Sequence, residues 1–598
     1  MPRRNDSPDG PTPLLPIALL LALVFLHWRI AAAPDGFLTT GEMADPDAWT
    51  RSLRVLALYL GAAWQDPILS ALSAPDGLSL HWTRPLDILI LAPAWLAMRL
   101  GVDPRDAILW SGAWVSPVLH AVALLLSAWA ARPLWPGIGA WITCVLLMSS
   151  WAVLGYSMPG RADHHTLLLV AALLTLGAGM RAAVDEHRGQ QAWLAGIAGG
   201  FGVWVSPEAM LTVAPLLAGL GLAWLIAWDG KRLALQGARV ALGLALMLAL
   251  AIATERPIAE WGLAEPDKVS VQHLAIAGAA AACFLLAAPL GRLVPWARVP
   301  AGLLLAGAAG YALLRLWPDL LRGSLGGADA GAVALLLPNV QEMQPVRFGT
   351  REQIGDALWV MGTVPFAVLT LLLGLEFAGW ARSGRWRAAL IVALALVAGT
   401  GASLMARRFA LDLAPPAAIG AAGLLILLGR LLMGAARLII CAVFAAMLFG
   451  LPFVAPLLTT SEAVSARGCP VPALARFLSA APPAPPGSVM LSDSLNIGPE
   501  LAWRTPFRQV AAPYHRGGAA LLDLSAVFAA TDDAEAMRVL ARRQVRLVLL
   551  CRDTPPLGSP WPEESLRRRL LAGERPDGWT ELPLPSEVSS SYLLFILN

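Results

Sequence analysis

The sequence predicts a polytopic α-helical membrane protein that carries a soluble C-terminal α/β domain. Three observations lead there. First, of 598 residues, 57% are hydrophobic and only 14% are charged, and the mean hydropathy is +0.63; a soluble globule is about one-quarter charged. Second, apolar runs long enough to cross a bilayer follow one another from the start of the chain to about residue 457. Third, the character changes at about residue 458, where Pro-rich turns give way to short β-like runs. A formal net charge of +3 with no basic run argues against a nucleic-acid partner.

A window of about 20 residues finds about thirteen candidate spans. They lie near 14–33, 106–130, 138–156, 164–182, 191–206, 208–228, 233–253, 272–290, 299–316, 355–378, 387–405, 413–430 and 436–457. The first has a basic start, Arg3 and Arg4, and ends in Ala31-Ala32-Ala33. That pattern also fits a signal peptide; an uncleaved first span is the preferred reading. The apolar stretch 86–100 is too short: its helix would reach about 22 Å, against a hydrocarbon core of about 30 Å. It also contains Asp87 and Pro93.

Arginine fixes the topology. If 86–100 does not cross, Arg3 and Arg4, Arg132, the loop 181–188, Lys231 and Arg232, Arg292, Arg298, Arg382, Arg387, Arg430 and Arg437 all fall inside. The N-terminus is then cytoplasmic. Residues 34–105, the turn 157–163, the loop 317–354 and the C-terminal domain face outward. The domain division is 1–457 and 458–598. In the latter, β-like runs at 489–492, 545–551 and 592–597 alternate with helical patterns near 531–543 and 563–572. Cys469 and Cys551 lie in this tail, where a disulfide is open to them if it faces an oxidising compartment. The other three cysteines lie in apolar runs, where cysteine behaves as a small hydrophobe.

Four polar constellations fall on the outer side. Asp45-Pro46-Asp47 precedes an amphipathic stretch in which Trp49, Leu53, Leu56, Leu60 and Trp64 share a face, with Asp47, Arg51 and Arg54 opposite. This predicts a helix at the membrane surface; the plainer reading is a helix cap with an Asp47–Arg51 pair. Gly160-Arg161-Ala162-Asp163-His164-His165 sits at the mouth of a span. Asp163 and His165 offer oxygen and nitrogen to a divalent cation, and the alternative is a polar helix start. Glu342 stands in the sequence Asn339-Val340-Gln341-Glu342, inside an external loop of unusual length; alone it reads as a solvated charge. Arg407-Arg408-Phe409 breaks the positive-inside trend. It suits an anionic partner such as a lipid diphosphate, or snorkelling to headgroups.

Together these motifs resemble the catalytic subunits of oligosaccharyltransferases, a branch of the GT-C membrane glycosyltransferases. The likeness covers residues 14 to about 457 and lies in motif order and sidedness. Those proteins have thirteen spans, a first acidic motif where Asp45 and Asp47 lie, and an Asp-x-His at the start of span four, as in Asp163-His164-His165. They also have a Glu-ending motif in the fifth external loop and an Arg-Phe that meets the lipid diphosphate, matched here by Glu342 and by Arg408-Phe409. The resemblance implies a GT-C type fold of a bacterial inner (plasma) membrane. It implies a polyprenyl-phosphate-linked glycan donor, an acceptor that is a protein, lipid or glycan, and a divalent cation, Mg or Mn. It implies Asp47, Asp163 and His165 as metal ligands, Asp47, Asp45 and Glu342 as catalytic carboxylates, and Arg408, Arg407 and His164 on the substrate. Asp47 is preferred over Asp45 because it begins the amphipathic helix. One departure stands out: the family's Trp-Trp-Asp motif, which grips the glycosylation sequon, has no counterpart after residue 458. Ala502-Trp503-Arg504 and Pro513-Tyr514-His515-Arg516 are the nearest clusters. The rival readings are a polyprenyl-monophosphate-sugar transferase acting on lipid or glycan, a transporter or flippase, and an inactive scaffold.

Overall fold

A computed structural model describes residues 14–185, 189–323, 325–458, 469–557 and 560–598. Arg3 and Arg4, part of the loop 181–188 and the start of the second predicted domain lie outside the described residues.

Among the described residues, nine helices are long and apolar enough to cross a membrane, and eleven if each of two bent pairs forms one span. All thirteen predicted segments are helical. The segment near 138–156 is a bent pair, Ile138–Met148 and Trp151–Ser157, and the segment near 355–378 is another, Arg351–Met361 and Val364–Phe377. The two remaining segments are the helices Gly189–Val205 and Gly434–Leu458. Small residues let the helices approach closely. A Cβ placed on Gly196 would meet the Val240 carbonyl oxygen at 2.1 Å, so glycine there is what lets Gly189–Val205 lie against Gly230–Glu255.

The stretch 86–100 is the helix Pro85–Arg99, 15 residues long. It does not act alone. Asp87 is fully buried, and Arg51 Nη1 (2.8 Å), Arg54 Nε (2.6 Å) and Arg84 Nη1 (3.1 Å) surround it. This overturns the Asp47–Arg51 pair of the plainer reading for the first amphipathic helix, Pro46–Tyr59. Arg51 and Arg54 are 2% and 5% exposed because they neutralise Asp87 rather than pairing with Asp47. Three cations around one buried anion tie the helices Pro46–Tyr59 and Pro85–Arg99 together beside the site.

Two short strands, β1 (Ile68–Leu69) and β2 (Leu78–Ser79), pair antiparallel ahead of the C-terminal region. That region contains the three predicted strands at their predicted places: β3 (Val489–Ser492), β5 (Val545–Cys551) and β7 (Tyr592–Leu597). The short β4 (Arg508–Gln509) and β6 (Trp579–Leu582) complete a sheet of order β4-β3-β5-β7-β6. The β3–β4 and β3–β5 pairs are parallel, whereas β7 runs antiparallel to β5 and β6. The central β5 is buried on both faces except at Arg546, which explains its almost unbroken apolar sequence. Helices Asp533–Arg542 and Leu566–Ala572 stand where helical patterns were expected. Cys469 and Cys551 form a disulfide that ties the first described residue of this region to the end of β5.

The sheet region is anchored to the segment 70–76. Gln509 donates its backbone N–H to the Ala71 carbonyl at 2.8 Å, and the Ala74 N–H returns to the Gln509 carbonyl at 3.0 Å. Arg508 reaches the carbonyls of Ser70 and Pro75, and Arg543 lies 2.9 Å from Asp76.

Candidate active site

Two backbone hydrogen bonds assemble the site. The Ala44 N–H donates to the Gly160 carbonyl, and the Gly160 N–H donates to the Ala113 carbonyl, both at 2.9 Å. Gly160 has φ +87°, and a Cβ there would sit 3.4 Å from Ala44 N, so glycine is what lets the two acidic motifs run side by side. Asp45 then caps the helix Pro46–Tyr59, accepting from the Ala48 N–H at 2.7 Å, with Pro46 in the first turn.

The mouth of the bundle encloses a cavity of about 760 Å³. Asp45, Asp47, His164, Glu342, Arg407 and Arg408 line it, so six of the predicted residues from four separate loops meet. Asp163 and His165 are buried against His164: Asp163 Oδ1 lies 2.7 Å from His164 Nδ1, and Oδ2 lies 3.5 Å from His165 Nε2. The Glu342 Oε2 accepts from the Tyr156 hydroxyl at 2.9 Å and faces Arg161 Nη2 at 3.4 Å. Arg408 is held by Glu208 at 2.8 Å and faces Glu342 at 3.8 Å, while Arg407 pairs with Asp356 at 2.6 Å.

Several residues at this site were not assigned from sequence. Arg161 links three of the predicted carboxylates, standing 3.1 Å from Asp45, 3.9 Å from Asp163 and 3.4 Å from Glu342. Its place inside the second motif was the available signal. Glu208 and Tyr156 belong to helices whose polar residues carried no pattern. Tyr514 comes from the C-terminal region, and its hydroxyl donates to Asp47 Oδ1 at 2.7 Å.

Electrostatics suit a cation. Burial, together with the charges of Asp163 and Glu342, pushes the Asp45 carboxyl up to about 6 despite Arg161. Burial and the charges of Asp163, Asp45 and Glu342 raise Asp47 well above the ordinary range, against a lowering hydrogen bond from Tyr514. Burial would raise Asp163 too, but the His165 and His164 imidazoles, the His164 hydrogen bond and Arg161 hold it well below the usual value. His164 Nδ1 and Asp163 Oδ1 lie 2.7 Å apart, so a nitrogen and an oxygen able to bind a cation are already side by side. Ligand atoms of Asp163, His164 and His165 all lie within 4.8 Å of one another. The oxygen and nitrogen set therefore fits a divalent cation.

A second group, His81, Asp267 and His515, has the same spacing. There Arg516 grips both Asp267 oxygens, at 2.7 and 2.6 Å, and His515 adds a contact at 2.8 Å. The carboxylate is already occupied by protein cations.

The fold and this site define a polytopic helical membrane protein with a C-terminal α/β region and a polar cavity at the bundle mouth. No family model matches the chain, and none of the curated proteins does. Solved structures do. The oligosaccharyltransferase AglB of Archaeoglobus fulgidus, in complex with an inhibitory peptide and a dolichol-phosphate, matches with a TM-score of 0.71 at 14% identity, over 96% of this chain and 80% of that one. The Archaeoglobus fulgidus enzyme tethered to an acceptor peptide containing the NVT sequon gives 0.70 at 14% identity, over 98% and 74%. Its complex with Zn and sulfate gives 0.63 at 17%, over 90% and 68%. The chain thus has the oligosaccharyltransferase-type GT-C fold.

Proposed function

We propose that the chain is a glycosyltransferase that moves a sugar or oligosaccharide from a polyprenyl-(di)phosphate donor to an acceptor on the outer face of a bacterial inner membrane. The observation that carries this reading is the meeting, in one cavity at the bundle mouth, of carboxylates and guanidiniums from four loops far apart in sequence. A channel or flippase places its ionisable groups at mid-membrane depth, whereas these gather at helix ends.

In this reading Asp163 and His165, with His164 beside them, would hold a divalent cation, Mg or Mn, and Asp47 would be its further carboxylate ligand. Such a cation supplies charge neutralisation for a leaving phosphate. The protein's own groups do the rest. Arg408, held by Glu208, and Arg407 present guanidiniums to the donor phosphate. Tyr156 and Arg161 hold Glu342 in the cavity wall. Glu342 or Asp47 orients the acceptor nucleophile. Asp45 caps its helix and pairs with Arg161, which leaves Asp47 as the carboxylate with a free role. The disulfide supports an outward-facing C-terminal domain from about residue 458, because disulfides persist in oxidising compartments. The lack of a Trp-Trp-Asp sequence leaves the acceptor as a protein site of another kind, a lipid or a glycan.

The test is transfer of labelled glycan from polyprenyl-diphosphate in membranes carrying the protein. Asp163→Ala and Glu342→Ala variants are expected to lose transfer. Unchanged transfer by either would refute its assignment, and equal use of a monophosphate donor would favour the monophosphate-dependent reading.

A further inference from the structure

Tyr514 stands at the meeting of the C-terminal region and the cavity. Its hydroxyl donates to Asp47 Oδ1 at 2.7 Å, and its ring is 5% exposed. The contact is built rather than incidental. The ring meets Trp82 edge-on at 5.5 Å and 89°, and Trp82 in turn lies 4.1 Å beneath the Arg51 guanidinium, which Asp87 fixes. The next two residues are clamped to the helical part of the chain, because Arg516 and His515 both bind Asp267, with Arg516 also 3.0 Å from Glu265. Backbone and ring are therefore both held, which keeps the hydroxyl beside Asp47.

We propose that Tyr514 is a positioning residue for Asp47: its hydroxyl fixes the carboxylate through Oδ1, so that Oδ2 would be the oxygen offered to a cation. The C-terminal region thereby completes the active site and does more than cover it. This rests on the reading of Asp47 as a cation ligand. A hydrogen bond of this kind orients a metal-binding carboxylate, and its removal typically weakens metal affinity by about 10–100-fold. Misplacement of a reacting group by about 1 Å can cost 100-fold in rate.

The experiment titrates Mn²⁺ into the full-length purified protein, read by electron paramagnetic resonance, for wild type, Tyr514→Phe, Asp47→Ala and Cys551→Ser. Phenylalanine keeps the ring and its Trp82 contact and removes only the donor. The expected result is an affinity about 10-fold or more weaker in Tyr514→Phe, near wild type in Cys551→Ser, and absent or far weaker in Asp47→Ala. In the transfer assay, Tyr514→Phe is expected to lower kcat by about tenfold or more with the donor KM within about twofold. Wild-type Mn²⁺ affinity in Tyr514→Phe would overturn the proposal while leaving Asp47 a ligand. Equal losses in Tyr514→Phe and Cys551→Ser would also overturn it, because general loosening of the C-terminal region would explain both. Wild-type affinity in Asp47→Ala would instead remove the reading on which it rests.

Discussion

Arg161 Nε lies 3.1 Å from Asp45 Oδ2, while Asp47, two residues along, takes its hydrogen bond from Tyr514 instead. Two carboxylates in one tripeptide thus have different neighbours. Asp45 has a cap to make and a guanidinium to neutralise. Substituting it with Asn keeps the capping oxygen and removes a charge that Arg161 was balancing, so transfer should fall by no more than about tenfold. Asp47→Asn should fall by about 10²–10³-fold, the cost of losing one preorganised charged group in a catalytic site. Label transfer from the lipid donor checks both, and the reverse ranking would assign the chemistry to Asp45.

Arg408 is pre-aimed. Glu208 holds it at 2.8 Å and Glu342 stands at 3.8 Å, so the guanidinium faces the cavity without rotating freely. Lysine keeps the charge but loses the fork. Arg408→Lys is expected to raise the donor KM by about tenfold while changing kcat less, measured with a polyprenyl-diphosphate glycan. Glu208→Gln should reproduce part of that rise by freeing the arginine.

The sequence carried the architecture well, and the reason is physical. Membrane helices announce themselves by length and apolarity, and β5 by a run that only a strand buried on both faces can hold. Motif order also placed Asp47, Asp163, Glu342 and Arg408 at one mouth. What stayed hidden were the pairings between segments distant in sequence. Nothing in a linear pattern says that Arg51 turns away from Asp47 toward Asp87, 36 residues on. Nor does it say that Tyr514 returns across 467 residues to Asp47. Helical spacing offered Arg51 only Asp47 as a partner, four residues away; the convergence of three arginines on Asp87 is a tertiary contact.

Asp87 gives the sharpest stability test. It is fully buried beneath Arg51, Arg54 and Arg84, and among the described residues none of the three forms an ion pair with another carboxylate. Replacing it with Ala leaves three buried guanidiniums without their ion-pair partner. Breaking one buried pair costs about 3–5 kcal/mol. Asp87→Ala should therefore lower the thermal midpoint of the detergent-solubilised protein by several degrees or abolish expression. Asp66→Ala, in the same segment, serves as the control.

The Cys469–Cys551 bond closes a loop of 82 residues. Its removal by Cys551→Ser is expected to cost about 2–4 kcal/mol, seen as a lower midpoint and faster proteolysis of the C-terminal region. A membrane-impermeant maleimide should label the pair in intact cells only after reduction if that region faces outward.

The clamp at Asp267 sets a pH dependence whose sign follows from its surroundings. Burial would raise this carboxyl, but hydrogen bonds from Arg516 and His515 and the positive charge of Arg516 hold it far below the usual carboxylate range. The unfolded chain, with an ordinary value near about 3.9, therefore takes up the proton first as the pH falls. The stabilisation is fully present above about pH 4 and is lost only as the pH drops from there toward the depressed folded value. Asp267→Asn should accordingly lower the thermal midpoint by the same amount at pH 7 and pH 5, with the gap to wild type narrowing only below about pH 4. Hydrogen exchange over 513–517 should rise in the variant at both pH values, since Asp267 binds both His515 and Arg516, the two residues that follow Tyr514. A gap that closes between pH 7 and pH 5 would place the titrating group elsewhere and leave the Tyr514–Asp47 contact dependent on something other than this clamp.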